Sequence, residues 1–128
     1  MNESLYPSQN YPKFATAAYY LSNFILGFST ALGGPSLPSL AENTASSLDE
    51  ISLYFALGAL GYLLGAIFSG RVYDQISGHK LMSITMAVSA VSLFLIPVVH
   101  QLLWLLLLQL ALGLVQGVND VGCNTLLQ

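Results

Sequence analysis

Apolar and polar positions divide this chain into four long apolar runs joined by short polar stretches. The first, FATAAYYLSNFILGFSTAL, begins at Phe14, and Pro35 and Pro38 follow its end. Proline has no amide proton and restricts the residue before it, so a helix over about 14–34 is expected to end or kink around Gly34. The other runs cover about 51–69, 81–99 and 102–126. As a helix, the third would be about 28 Å long, matching a hydrocarbon core of roughly 30 Å. A β-barrel would show short segments of strict alternation instead. These runs are continuously apolar, so the pattern predicts an all-α membrane protein with four transmembrane helices.

Composition agrees: 55% of residues are hydrophobic and 7% charged, against roughly 25% charged in soluble domains. The three basic residues, Lys13, Arg71 and Lys80, fall on one side of the predicted spans, which makes that side cytoplasmic. Residues 1–13 then form a cytoplasmic tail, and both termini lie inside. The tail lacks a charged segment ahead of a short apolar core and is not read as a signal peptide. Asn2-Glu3-Ser4 matches a glycosylation pattern that an inner terminus would leave unused. His79 and His100 fall in opposite loops, so no metal pair is expected. No spacing of nucleophile and base and no phosphate-cradling loop is present, so the chain reads as a non-enzyme without cofactor. Three basic residues are too few for a nucleic-acid surface. Cys123, the one cysteine, reads as a small packing residue.

Two patterns refine the picture. Gly58, Gly61, Gly65 and Ser69 recur every three or four residues and put a small-residue stripe on one face of the second helix, suited to close contact with another helix. The inner link GRVYDQISGHKLM places Gly70, Asp74, Gly78 and Lys80 between the second and third spans. Glycine suits a tight turn, the aspartate can accept from a helix N-terminus or pair with a base, and the basic residues hold the link inside.

That link resembles the loop signature of the major facilitator superfamily of secondary transporters, with an aspartate-to-glycine step one residue longer than the common one. GGPSLPSLAENTASSLDEISLYFALGALGYLLGA is similar to the first loop and second helix of the branch holding fucose permeases and sodium-dependent glucose transporters. The resemblance implies a twelve-helix fold with substrate held between two six-helix halves. The four helices would be its N-terminal part and would need the remaining helices. With a start at Met1 and an end inside an apolar helix, the chain reads as a fragment or truncated form. The implied activity is secondary active transport of a sugar coupled to sodium or protons, in a plasma or bacterial inner membrane.

On a helical projection Gln109, Gln116, Asp120 and Asn124 fall within an arc of about 80°, with Gly113 inside it. Lipid penalises such a face, since a mid-bilayer aspartate costs about 2.5–3.5 kcal/mol. By the resemblance, Asp120 is the ion-coupling carboxylate and Asn124 a substrate-facing amide. Gln116 and Asn23 complete the candidate substrate and ion set. The acid that fucose permeases carry late in their first helix has no counterpart, and Gly34 stands there. Asp120 also admits a plainer reading as an anchor near the inner interface, about 27 Å along a helix that starts at Leu102. Two other classes stay open: a complete four-helix multidrug-type transporter acting as a dimer, and a non-transporting membrane scaffold.

The topology is testable by labelling cysteines introduced as Ser47→Cys and Ser77→Cys from outside intact cells. Position 47 should react and position 77 should not; the opposite result would invert the orientation.

Overall fold

A computed structural model describes residues 13–126, so the proposed tail with its glycosylation pattern lies outside the described residues except for Lys13, which opens the first helix. The described chain is built from α1 (Lys13–Asn43), α2 (Leu48–Gln75), α3 (Gly78–Leu95), a 3-10 turn (Ile96–Val98) and α4 (Leu102–Leu126). Three stretches are long and apolar enough to cross a membrane: Leu48–Gln75, Gly78–Val98 and Leu102–Thr125. At 31 residues α1 is long enough, but Tyr19, Tyr20, Ser22, Asn23, Ser29 and Thr30 dilute its apolar run. With Phe14, Ile67, Phe94 and Leu103 each more than two-thirds exposed on its surface, this is a multi-pass membrane protein.

The first helix does not stop at Gly34. It runs through Pro35 and Pro38 to Asn43. Each proline removes one main-chain hydrogen bond, and membrane helices tolerate that loss where neighbouring groups compensate. Contacts beyond the prolines hold the far end: Leu40 and Ala41 enter an apolar cluster with Ile51, Tyr54, Ile96 and Leu105. Asn43 Nδ2 donates to the carbonyls of Pro97 (3.2 Å) and Val99 (3.1 Å). The helix then ends in a Schellman-type turn, with Ala45 left-handed (φ 50°) and amides returning from Ala45 to Glu42 and from Ser46 to Ala41.

Ser47 starts α2 with a reciprocal capping box. The Glu50 amide donates to Ser47 Oγ (3.2 Å) and the Ser47 amide donates to Glu50 Oε2 (2.9 Å). At its other end α2 carries Gly70 and Asp74 into its own last turns, and Gly78 and Lys80 open α3. The expected inner loop therefore shrinks to Ile76 and Ser77, whose extended backbone makes the reversal. Gly70 and Gly78 need no left-handed conformation here. Asp74 is exposed and makes no hydrogen bond to any described residue.

The tightest packing joins α2 to α4. The stripe Gly58, Gly61, Gly65 and Ser69 is buried, and α4 supplies Gly113 and Gly117 in return. A methyl at Gly61 would strike the Leu110 carbonyl, and one at Gly65 the Leu114 carbonyl. In the other direction, Gly113 lies against the Gly58 carbonyl and Gly117 against that of Tyr62. Lipid offers no hydrophobic drive for helix association, so close backbone approach of this kind supplies much of the attraction. A smaller cluster of Tyr19, Met82 and Cys123 closes the end opposite the Leu40 cluster. There the Tyr19 ring stacks on His79, with Oη and Nδ1 3.1 Å apart.

Gly65→Ala should lower stability by about 1–3 kcal/mol, the usual cost of overpacking, because its methyl meets main chain that cannot swing aside. Gly27→Ala, with nothing within 4 Å, should be neutral or stabilising by up to about 1 kcal/mol. Thermal unfolding in detergent compares them, and equal effects would remove the glycine contact as a determinant.

Candidate functional site

Between the two end clusters lies a cavity of about 790 Å³, walled by α1, α2 and α4 with Leu93 of α3. That size is ordinary for a small-molecule site. Most of its lining is apolar, and its polar side chains come from three helices: Asn23, Ser29 and Thr30 of α1, Tyr54 and Tyr62 of α2, and Gln109, Gln116 and Asp120 of α4. The polar residues that weaken α1 as an apolar span are thus partly explained, since three of them face this space.

These groups differ in what they have left to offer. Ser29 and Thr30 donate to carbonyls one turn back in their own helix, Ile25 (2.7 Å) and Leu26 (3.0 Å), a local pairing that spends their hydroxyl protons. Asn23 Oδ1 and Gln109 Oε1 are buried and have no hydrogen-bond partner among the described residues. Buried acceptors are normally paired, so these two mark where a donor would be welcome. Asp120 Oδ2 accepts from Tyr62 Oη at 2.6 Å, which leaves its other oxygen for a cation or a further donor.

The height of that pair matters. Tyr62 lies 14 residues after Leu48 and 13 before Gln75, at the middle of α2. A carboxylate within hydrogen-bond reach of it is level with the middle of that helix.

Of the residues expected from the sequence, the structure gathers Asn23, Gln116 and Asp120 around one cavity. Asn124 is exposed and lies outside the cavity lining, one turn further along α4. Gly113 leaves the polar face for the α2 contact. Two residues went unread. Tyr62 carries the hydroxyl that reaches Asp120, and a tyrosine mid-span, with a polar tip to satisfy, was the available sign. Asn119 is 1% exposed and accepts from Thr85 Oγ1 (3.2 Å) at the α3–α4 contact. The spacing of Thr85, Ser89 and Ser92, all buried along α3, was its signal.

A second cavity of about 560 Å³ adjoins the first and shares Ser29, Gly33, Tyr54 and Leu93 with it. It continues along α1 past Ser36 and Ser39 to Asn43.

Comparison with known proteins supports the site's setting. The chain is 34% identical over 102 residues to mouse sodium-dependent glucose transporter 1A, covering 80% of this chain and 24% of that protein. It is 34% identical over 97 residues to sodium-dependent glucose transporter 1 of Xenopus laevis (76% of this chain, 20% of that protein). The human protein of the same name is 32% identical over 102 residues (80% and 20%). The chain thus spans about a fifth to a quarter of the length of these curated relatives. No solved structure matches it. Residues 19–128 match the Major Facilitator Superfamily, and with that match over most of its length the chain belongs to this family of membrane transport proteins.

Proposed function

We propose that this chain is the N-terminal part of a secondary active transporter that moves a sugar together with sodium or a proton. Asp120 is the carboxylate through which the ion acts. The observation that carries the reading is the Tyr62–Asp120 hydrogen bond on the wall of a mid-helix cavity. An aspartate so placed is expensive in a membrane and is retained where it serves an ion or substrate path. The relatives named above as sodium-dependent glucose transporters support the substrate class and favour sodium. Their greater length supports a site completed by further helices.

In this reading Asn23, Gln109 and Gln116 face the sugar. Unpaired amide oxygens accept from sugar hydroxyls, and the apolar remainder of the wall packs against the ring's C–H faces. An ion at Asp120 neutralises the carboxylate, so the loaded cavity can reorient without carrying bare charge past low-dielectric walls. Asn124 would meet the substrate only from outside the described cavity. Both termini lie on the cytoplasmic side, in a plasma or bacterial inner membrane, and the short turn at Ile76 and Ser77 faces the cytoplasm.

In the full-length transporter, Asp120→Asn, nearly isosteric but unable to ionise, should abolish ion-driven accumulation while sugar exchange persists. Uphill uptake of labelled sugar with and without an ion gradient measures this. Full accumulation by the variant would reduce Asp120 to a membrane-edge anchor. Gln116→Ala should raise the half-saturating sugar concentration by about three- to tenfold, the worth of one hydrogen bond, with little change in maximal rate.

Asp74→Asn, far from the cavity, should slow transport more than it weakens sugar binding. Equal losses in separate binding and flux measurements would mean that it acts through folding.

A further inference from the structure

Gly58 differs from its neighbours in the α2–α4 contact. A methyl at Gly61 or Gly65 would meet main-chain atoms of α4. At Gly58 the three nearest atoms all belong to the Gln109 side chain, with Nε2 at 2.5 Å and Cδ and Cγ at 3.3 Å. The Gly58 carbonyl does touch Gly113, but every residue has a carbonyl, so that contact does not ask for glycine. Mid-helix glycine is unfavourable relative to alanine. What the missing side chain leaves room for is the Gln109 amide, lying against the α2 backbone.

Gln109 lines the cavity, and its Oε1 is one of the two buried acceptors there without a partner among the described residues; Asn23 Oδ1 on the α1 wall is the other. A methyl at position 58 would lift the amide off α2, and the open space beside it is the cavity. We propose that Gly58 is a specificity-determining position: by seating the Gln109 amide against α2 it sets how far that amide reaches toward Asn23, and so which hydroxyl-bearing ligand fits between the two acceptors. This deepens the sugar-transport reading and rests on it.

The test is a double-mutant cycle in the full-length transporter. Gly58→Ala should raise the half-saturating sugar concentration about three- to tenfold, again the worth of one hydrogen bond, with maximal rate kept. In a Gln109→Ala background, where no amide remains to displace, the same change should add less than about twofold, as coupled neighbours do. An equal factor in both backgrounds would overturn the proposal and return Gly58 to helix packing. If Gly58→Ala alone fails to accumulate in membranes, accumulation of the double variant supports the coupling and its absence overturns it.

A second readout needs no sugar. In a Cys123→Ala background, Asn23→Cys should react more slowly with a water-soluble methanethiosulfonate when Gly58→Ala is added, and recover with Gln109→Ala. An unchanged rate overturns the proposal. A wild-type protein that moves no sugar would defeat the transport reading, while this reaction would still report the wall geometry.

Discussion

The contact of main chain on main chain between α2 and α4 is the constraint from which the site follows. Gly61 and Gly65 admit carbonyls of α4, and Gly113 and Gly117 admit carbonyls of α2, so neither helix can slide along the other without a clash. Tyr62 belongs to both parts of the arrangement. Its carbonyl lies on Gly117, and its hydroxyl, on a side chain pointing elsewhere, reaches Asp120. Gly117 and Asp120 are three residues apart on neighbouring positions of one helix face. The register that seats the glycine therefore also sets the carboxylate's hydrogen bond.

Against this fixed pair, α1 is held mainly at its two ends, by Tyr19 in one cluster and by Leu40, Ala41 and Asn43 at the other. Its middle borders the cavity. The wall is thus made of two kinds of surface: a rigid seam bearing the acid, and a spanning helix bearing Asn23. Within it the hydroxyls of Ser29 and Thr30 are already engaged. The amide oxygens of Asn23 and Gln109 and one oxygen of Asp120 remain without a hydrogen-bond partner among the described residues.

Much of this was legible in the sequence because bilayer physics is strict. Four apolar runs, the glycine stripe and the polar arc of α4 each follow from one period, 3.6 residues, and one solvent. What was not legible depends on partners. Nothing along α2 says that Tyr62 faces Asp120 rather than lipid; only the glycine register does. The prolines predict an end or a kink of α1 near Gly34; the helix continues, held by Leu40 in the apolar cluster and by Asn43 on carbonyls more than fifty positions away. Glycine as a turn former predicts a loop for the inner motif, whereas Gly70 is helical and exposed. The polar arc extended to Asn124, but the cavity does not continue that far along α4.

The two prolines inside α1 carry one more implication. Neither Pro35 nor Pro38 can donate to the carbonyl four residues back, so the main-chain oxygens of Ala31 and Gly34 lose their usual helical partners. Hydrocarbon cannot satisfy such oxygens; water or another donor must. This part of α1 is therefore pinned in rotation about its own axis, because turning those oxygens toward lipid is costly. Ser36 and Ser39, on the wall of the smaller cavity, mark the direction from which hydration can come.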